Sequence, residues 1–134
     1  MEFSSLVLME KDKETGFMVK ELGSYEVSEG AENISKMFYD GEKVNVYFDT
    51  NKDVEDWEYS AIFDLFNEEE FVESGYNIEQ VDSEYNPTWL VKFDYDEEHS
   101  VVAEKLNKLC ALISTSISKV IVDIEGKEEE YRED

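Results

Sequence analysis

Val102, Leu106, Leu109, Ile113, Ile117, Val120 and Ile124 are spaced four, three, four, four, three and four residues apart. That spacing averages close to the ~3.6 residues of a helical turn, so His99 to Glu125 is expected to form one long helix with a single apolar stripe. A stripe of that length must be covered, and no other stretch of the chain shows one as long. Several earlier stretches read as strands. The simplest architecture therefore lays this helix across a sheet built by the residues before it. A rival reading ends the helix near Ser118 and makes Val120 to Ile124 a strand, because the run Ser114–Ser118 is poor in helix formers.

Taken in order, Phe3 to Met9 reads as a strand, Lys11 to Gly16 as a turn, and Phe17 to Tyr25 as a second strand interrupted by Gly23. Ser28 to Tyr39 is expected to be a short helix, capped by Ser28, with Ile34, Met37 and Phe38 on one face. Asp40-Gly41 ends it. Lys43 to Asp49 alternates as a third strand. Trp57 to Phe66 fits either a strand or a helix; its aromatic content and the preceding strand favour the strand. Asn67 is placed to cap a short acidic helix through Glu73, stopped by Gly75. Asn77 to Val81 and Thr88 to Tyr95 read as two further strands, with Asn86-Pro87 in the turn between them. Asp96, Glu97 and Glu98 open the long helix.

The sum is an α+β fold: a mainly antiparallel sheet of about five or six strands, one long C-terminal helix packed on one face, and one or two short helices. The chain has 134 residues, which favours a single domain over residues 1–125, followed by a charged, frayed tail at 126–134.

Charge narrows the functional classes. There are 35 acids against 12 bases, a formal net charge of −23. Such a field repels polyanions, so neither nucleic acid nor an anionic membrane is expected as a partner. No run approaches the ~20 apolar residues of a membrane span, and a soluble, cytoplasmic setting is the expectation. Arg132 is the one arginine, which leaves little material for bidentate clamps on carboxylate or phosphate. Between Lys52 and Lys92 there is no base at all. The candidate partner-binding residues come from that interval: Asp53, Glu55, Asp56, Glu58, Glu68, Glu69, Glu70 and Glu73. Clustered in space, they would present a strongly negative surface to a basic protein. The blander reading is a solvated face that keeps the protein soluble.

Other constellations are weaker. Asp49, Asn51 and Asp53 open like an EF-hand calcium loop, but the sixth position is Val54 rather than glycine and the twelfth is Ser60 rather than glutamate. An Asx-rich turn explains them, and a divalent cation is the alternative. Asp94 to His99 is a contiguous run whose side chains diverge, so an acidic helix start is the better account. Cys110 and His99 lie eleven residues apart, about 16 Å along a helix, too far for a catalytic pair. No Walker loop, G-x-S-x-G or G-x-G-x-x-G is present, and no cofactor is expected.

The stretches Trp57-Glu58-Tyr59-Ser60-Ala61-Ile62-Phe63-Asp64 and Asn86-Pro87-Thr88-Trp89-Leu90-Val91-Lys92-Phe93 resemble those of a family of small, acidic, uncharacterised bacterial proteins, classed as a domain of unknown function. The resemblance covers most of the chain. It implies a bacterial, intracellular, stand-alone domain and brings no activity, cofactor or site residue. The functional expectation is a non-enzymatic acidic binding protein of inhibitor, immunity or nucleic-acid-mimic type; a cation binder, or a soluble domain with no legible site, stands behind it. Oligomeric state is left open.

Overall fold

The apolar stripe forms the helix that its spacing requires. In a computed structural model, which describes residues 4–12, 14–27 and 30–131, helix α3 runs unbroken from His99 to Asp123. Val102, Leu106, Leu109, Ile113, Ile117 and Val120 are all buried, and Cys110 and Ser116 are buried beside them. Val120 to Asp123 continues the helix and is not a strand.

Beneath it lies a six-stranded sheet: β1 (Ser4–Lys11), β2 (Met18–Val27), β3 (Ile34–Tyr39), β4 (Lys43–Asp49), β5 (Asn77–Val81) and β6 (Thr88–Asp94), in the order β2-β1-β3-β4-β6-β5. Every neighbouring pair is antiparallel except β1 with β3, which is parallel and joined only at Met9–Phe38 and Glu10–Tyr39. Strands β4 and β6 sit at the centre of the packing. Val44, Val46 and Phe48 on one and Trp89, Val91 and Phe93 on the other turn to the core shared with α3. Phe48, Phe66, Phe71 and Trp89 form an aromatic cluster with ring centroids 4.2–6.0 Å apart. Burying rings of that size supplies much of the folding energy.

Among the described residues no helix covers the opposite face of the sheet. Phe38 is buried there by the ammonium groups of Lys11 and Lys36, 4.7 and 5.2 Å from its ring centroid, and by Tyr47, 6.3 Å away.

Two segments differ from their expected form. Ser28 to Tyr39 is not a helix. Ala31–Asn33 makes one 3-10 turn and Ile34 begins β3; Ser28, the expected cap, lies outside the described residues, as does Phe3. The helical spacing of Ile34, Met37 and Phe38 misleads because both faces of β3 are covered. Met37 pairs with Val46 toward the core, while Phe38 pairs with Asn45 on the open face. Trp57 to Phe66 is likewise not a strand. Helix α1 spans Asp56–Leu65. The backbone N–H of Glu55 donates to Glu58 Oε1 at 2.9 Å, half of a capping box, and acids fill the first turn where the helix dipole favours them. Its aromatic side chains reach across to Trp89 rather than alternating along a ladder: Phe63 lies 5.2 Å from Trp89, edge-on, and Tyr59 lies 5.0 Å from Phe63.

Helix α2 (Glu69–Glu73) starts after Glu68, one residue beyond the expected Asn67 cap, and Gly75 follows it at φ 96°. Within the segment expected to fray, Glu128–Tyr131 forms a short helix α4 against α1.

Candidate functional site

Helix α1 is the hub of the acidic surface. At its start, Asn86 in the β5–β6 turn holds the incoming chain from two sides. Its Oδ1 accepts the Val54 N–H at 3.3 Å and its Nδ2 donates to Asp53 Oδ1 at 3.1 Å. One turn later the Tyr59 hydroxyl donates to the Asp82 carbonyl at 3.4 Å. Burial raises the Tyr59 hydroxyl pKa above its ordinary value, and the charges of Asp82 and Glu84 push it the same way. The start of α1, which carries Asp53, Glu55, Asp56 and Glu58, is thus tied to the turn that carries Asp82 and Glu84.

At the far end of α1, Gln80 Nε2 donates to Glu68 Oε2 at 2.8 Å and to the Phe63 carbonyl at 3.4 Å, tying β5, α1 and the start of α2 together. On the outer side, the Tyr131 hydroxyl of α4 donates to Asp64. That hydrogen bond, then burial, then the charges of Asp64 and Glu130, raise the Tyr131 pKa. The acid-bearing β5–β6 turn, the start of α2 and α4 are therefore each tied to one end or the other of α1.

The expected partner-binding residues divide within this frame. Asp53, Glu55, Asp56, Glu69 and Glu73 are exposed, and Glu58, Glu68 and Glu70 are half-buried. Glu55 also accepts the Trp57 indole N–H at 2.8 Å, so it and Glu58 serve α1 as well as the surface. Glu70 sits close enough to Lys119 for its charge to be felt there, which sets the α2 acids apart from the group at the start of α1. Asp64, Asp82, Glu84 and Glu130 join a surface built from residues far apart in sequence. The signal for the tail was Tyr131, an aromatic in an otherwise charged run.

The family of unknown function DUF6762 matches the chain over residues 1–132. The protein belongs to DUF6762. Membership bears out the resemblance drawn from residues 57–64 and 86–93, and assigns no activity. No curated protein matches this DUF6762 member, and no solved structure does.

The remaining candidates have local roles in the DUF6762 fold. Asp49 Oδ1 accepts the Asn51 N–H at 2.8 Å, Asn51 takes the left-handed region at φ 56°, and Thr50 Oγ1 donates to the Lys52 carbonyl at 2.8 Å. With Asp53 turned to Asn86, the would-be calcium ligands each serve a turn of the chain. Among the described residues no group of three or more His, Cys, Asp or Glu side chains gathers as a metal cluster. His99 docks on β2: its Nε2 lies 2.8 Å from the Ser24 carbonyl and its ring stacks on Tyr25 at 4.5 Å. Cys110 is fully buried, and burial, with the charge of Glu32 behind it, pushes its thiol up to about 12. A thiol of that kind is inert. Among the described residues no helix is long and apolar enough to cross a membrane.

Proposed function

We propose that this protein is a non-enzymatic binding protein that docks the acidic surface around α1 on a basic protein partner. One observation supports the reading: the β5–β6 turn and α4, both acid-bearing, are tied to the acidic helix α1, in a chain without a base from residue 53 to residue 91. A concentrated field of one sign accelerates encounter with an oppositely charged partner and repels nucleic acid and anionic lipid. Inhibitor, immunity and nucleic-acid-mimic roles all use such a field. The lone buried cysteine suits a reducing compartment, so we place the protein in the cytoplasm.

The test uses the full chain as bait and compares it with a variant carrying Asp53→Asn, Asp56→Asn, Asp82→Asn and Glu84→Gln, all exposed positions. The partner retained at low salt is purified and titrated against both proteins. Association with the wild type slows steeply as salt rises, and the variant loses most of both the rate and the salt dependence. A partner bound equally well by both proteins, or no salt-sensitive basic partner at all, overturns the reading.

A further inference from the structure

At the end of the sheet where β4 and β5 begin and β6 ends, a cleft of about 380 Å³ opens between the 74–77 loop and the first half of α3. Its walls carry Lys43, Lys92, Lys105 and Lys108, one third of the chain's 12 bases. The only acids on those walls are Asp94 and Glu104. Lys43 is paired with Asp94, across the β4–β6 register. Lys92, Lys105 and Lys108 make no salt bridge among the described residues.

That arrangement runs against the rest of the molecule. Here Lys92, Lys105 and Lys108 line one cleft, although the charge of Lys92 also reaches Asp40 and the Lys105 ammonium donates to the Asp94 carbonyl at 3.5 Å. Lys105 and Lys108 sit three apart on the same face of α3, where like charges oppose helix formation. Lys92 approaches from the open face of the sheet. Four ammonium groups against two carboxylates leave the cleft with two positive charges in excess, inside a protein of net charge −23.

The cleft is also held to shape. The buried Tyr76 hydroxyl donates to the Lys105 carbonyl at 2.6 Å and fastens the loop to α3. Phe93 and Val101 give the walls apolar area, and Ser74 and Asn77 add polar groups at the rim. A few polar groups set on an apolar wall, at this volume, suit a small ligand.

We propose that this cleft binds a small phosphate monoester, its phosphate held by Lys92, Lys105 and Lys108 and its organic part lying against Phe93 and Val101. A phosphate monoester carries close to two negative charges at neutral pH, matching the excess in the cleft. Lysine, as a flexible point charge, is a common phosphate binder where arginine is absent. A long polyanion is repelled by the whole protein, whereas a small dianion feels mainly the local field. The inference is independent of the docking surface, which lies around α1.

The test follows amide shifts of the full-length protein during titration with glycerol phosphate, sodium chloride holding ionic strength constant. Inorganic phosphate and citrate are parallel probes. Glycerol phosphate shifts the amides of Gly75, Asn77, Lys92 and Lys105 and saturates below about 10 mM. Lys92→Gln with Lys108→Gln weakens binding about tenfold or more, and the exposed Lys108→Gln alone acts in the same direction. Lys119→Gln with Lys127→Gln, outside the cleft, leaves it unchanged. Saturation by inorganic phosphate as well supports the phosphate site. Overturning results are no saturable shift with glycerol phosphate, citrate binding more tightly than either phosphate, or unaltered affinity in the cleft variant.

Discussion

Gly30 is a position where the fold has no room for a side chain. It sits at φ 102° before the 3-10 turn and backs directly onto α3. A methyl added there would lie 2.8 Å from the Cys110 carbonyl carbon and closer still to its oxygen. Backbone cannot swing aside as a side-chain tip can. Gly75 supplies the control: its φ is 96°, and an added methyl meets nothing within 4 Å. Gly75→Ala therefore costs the left-handed conformation alone, about 1 kcal/mol. Gly30→Ala costs that and the displacement of the turn from α3, a further ~2–3 kcal/mol by analogy with overpacked cores. The displaced turn carries buried Ala31 and Asn33, whose Nδ2 donates to the Asp49 carbonyl at 2.8 Å. An unfolding entropy of ~2.1 cal/mol/K per residue gives about 0.28 kcal/mol/K for 134 residues, or about 3–4 °C per kcal/mol. Calorimetry should find Gly75→Ala lower by about 4 °C and Gly30→Ala lower by about 10–14 °C. Equal losses in the two variants would refute the close approach of this turn to α3.

Ser116→Ala should raise stability slightly, by about 1 kcal/mol or less, because the buried Oγ has no hydrogen-bond partner among the described residues; a loss above about 1 kcal/mol would show a partner at work. Cys110 should resist a thiol-reactive disulfide at pH 8 until the protein is unfolded, and prompt labelling of the native state would contradict its burial. Asp40 bears on acid stability. Burial pushes its carboxyl up, but hydrogen bonds from the Lys43 N–H, the Asn45 amide and the Glu42 N–H outweigh it and hold the pKa below the usual value. A folded pKa below the unfolded one stabilises above about pH 4 and is lost as pH falls through the folded value, so the urea midpoint of Asp40→Asn should trail wild type at pH 7 and meet it in acid. A gap that persists in acid would contradict that assignment. Raising sodium chloride from about 20 to 300 mM should raise the melting midpoint by screening the acids around α1; a fall would mean that attractive pairs dominate.

Legibility in the sequence followed how cleanly one face of each element was buried. Helix α3 has a single covered stripe, and its period survives intact in the residues. Strands β4 and β6 alternate for the same reason, with Val44, Val46 and Phe48 answering Trp89, Val91 and Phe93. Strand β3 hid because Phe38 is covered by lysine ammonium groups on the face opposite Met37, so period two is lost. Helix α1 hid because Trp57, Tyr59 and Phe63 are favoured in strands, and the Glu55–Glu58 cap, glutamate in place of serine or threonine, was the signal that could have decided it. The acidic run was plain along the chain. Its meeting with Asp82, Glu84 and Glu130 depends on where α1 lies, which no local pattern reveals. The lysine cleft was more deeply hidden: Lys105 and Lys108 share a helix face, but Lys43 and Lys92 reach them only through strand register.

The order of the chain places the roof after the floor. During synthesis all six strands leave the ribosome before residues 99–123 do, and the hairpin of β1 and β2 is joined to the other four by just two parallel rungs. Until α3 arrives, Val44, Val46, Phe48, Val91 and Phe93 have no cover from it, and the helix that packs on β2 as well as on this core is missing. The nascent chain must therefore keep a bare apolar floor from meeting its neighbours, and the dense mid-chain carboxylates, repelling other copies while the roof is still being made, are suited to that interval.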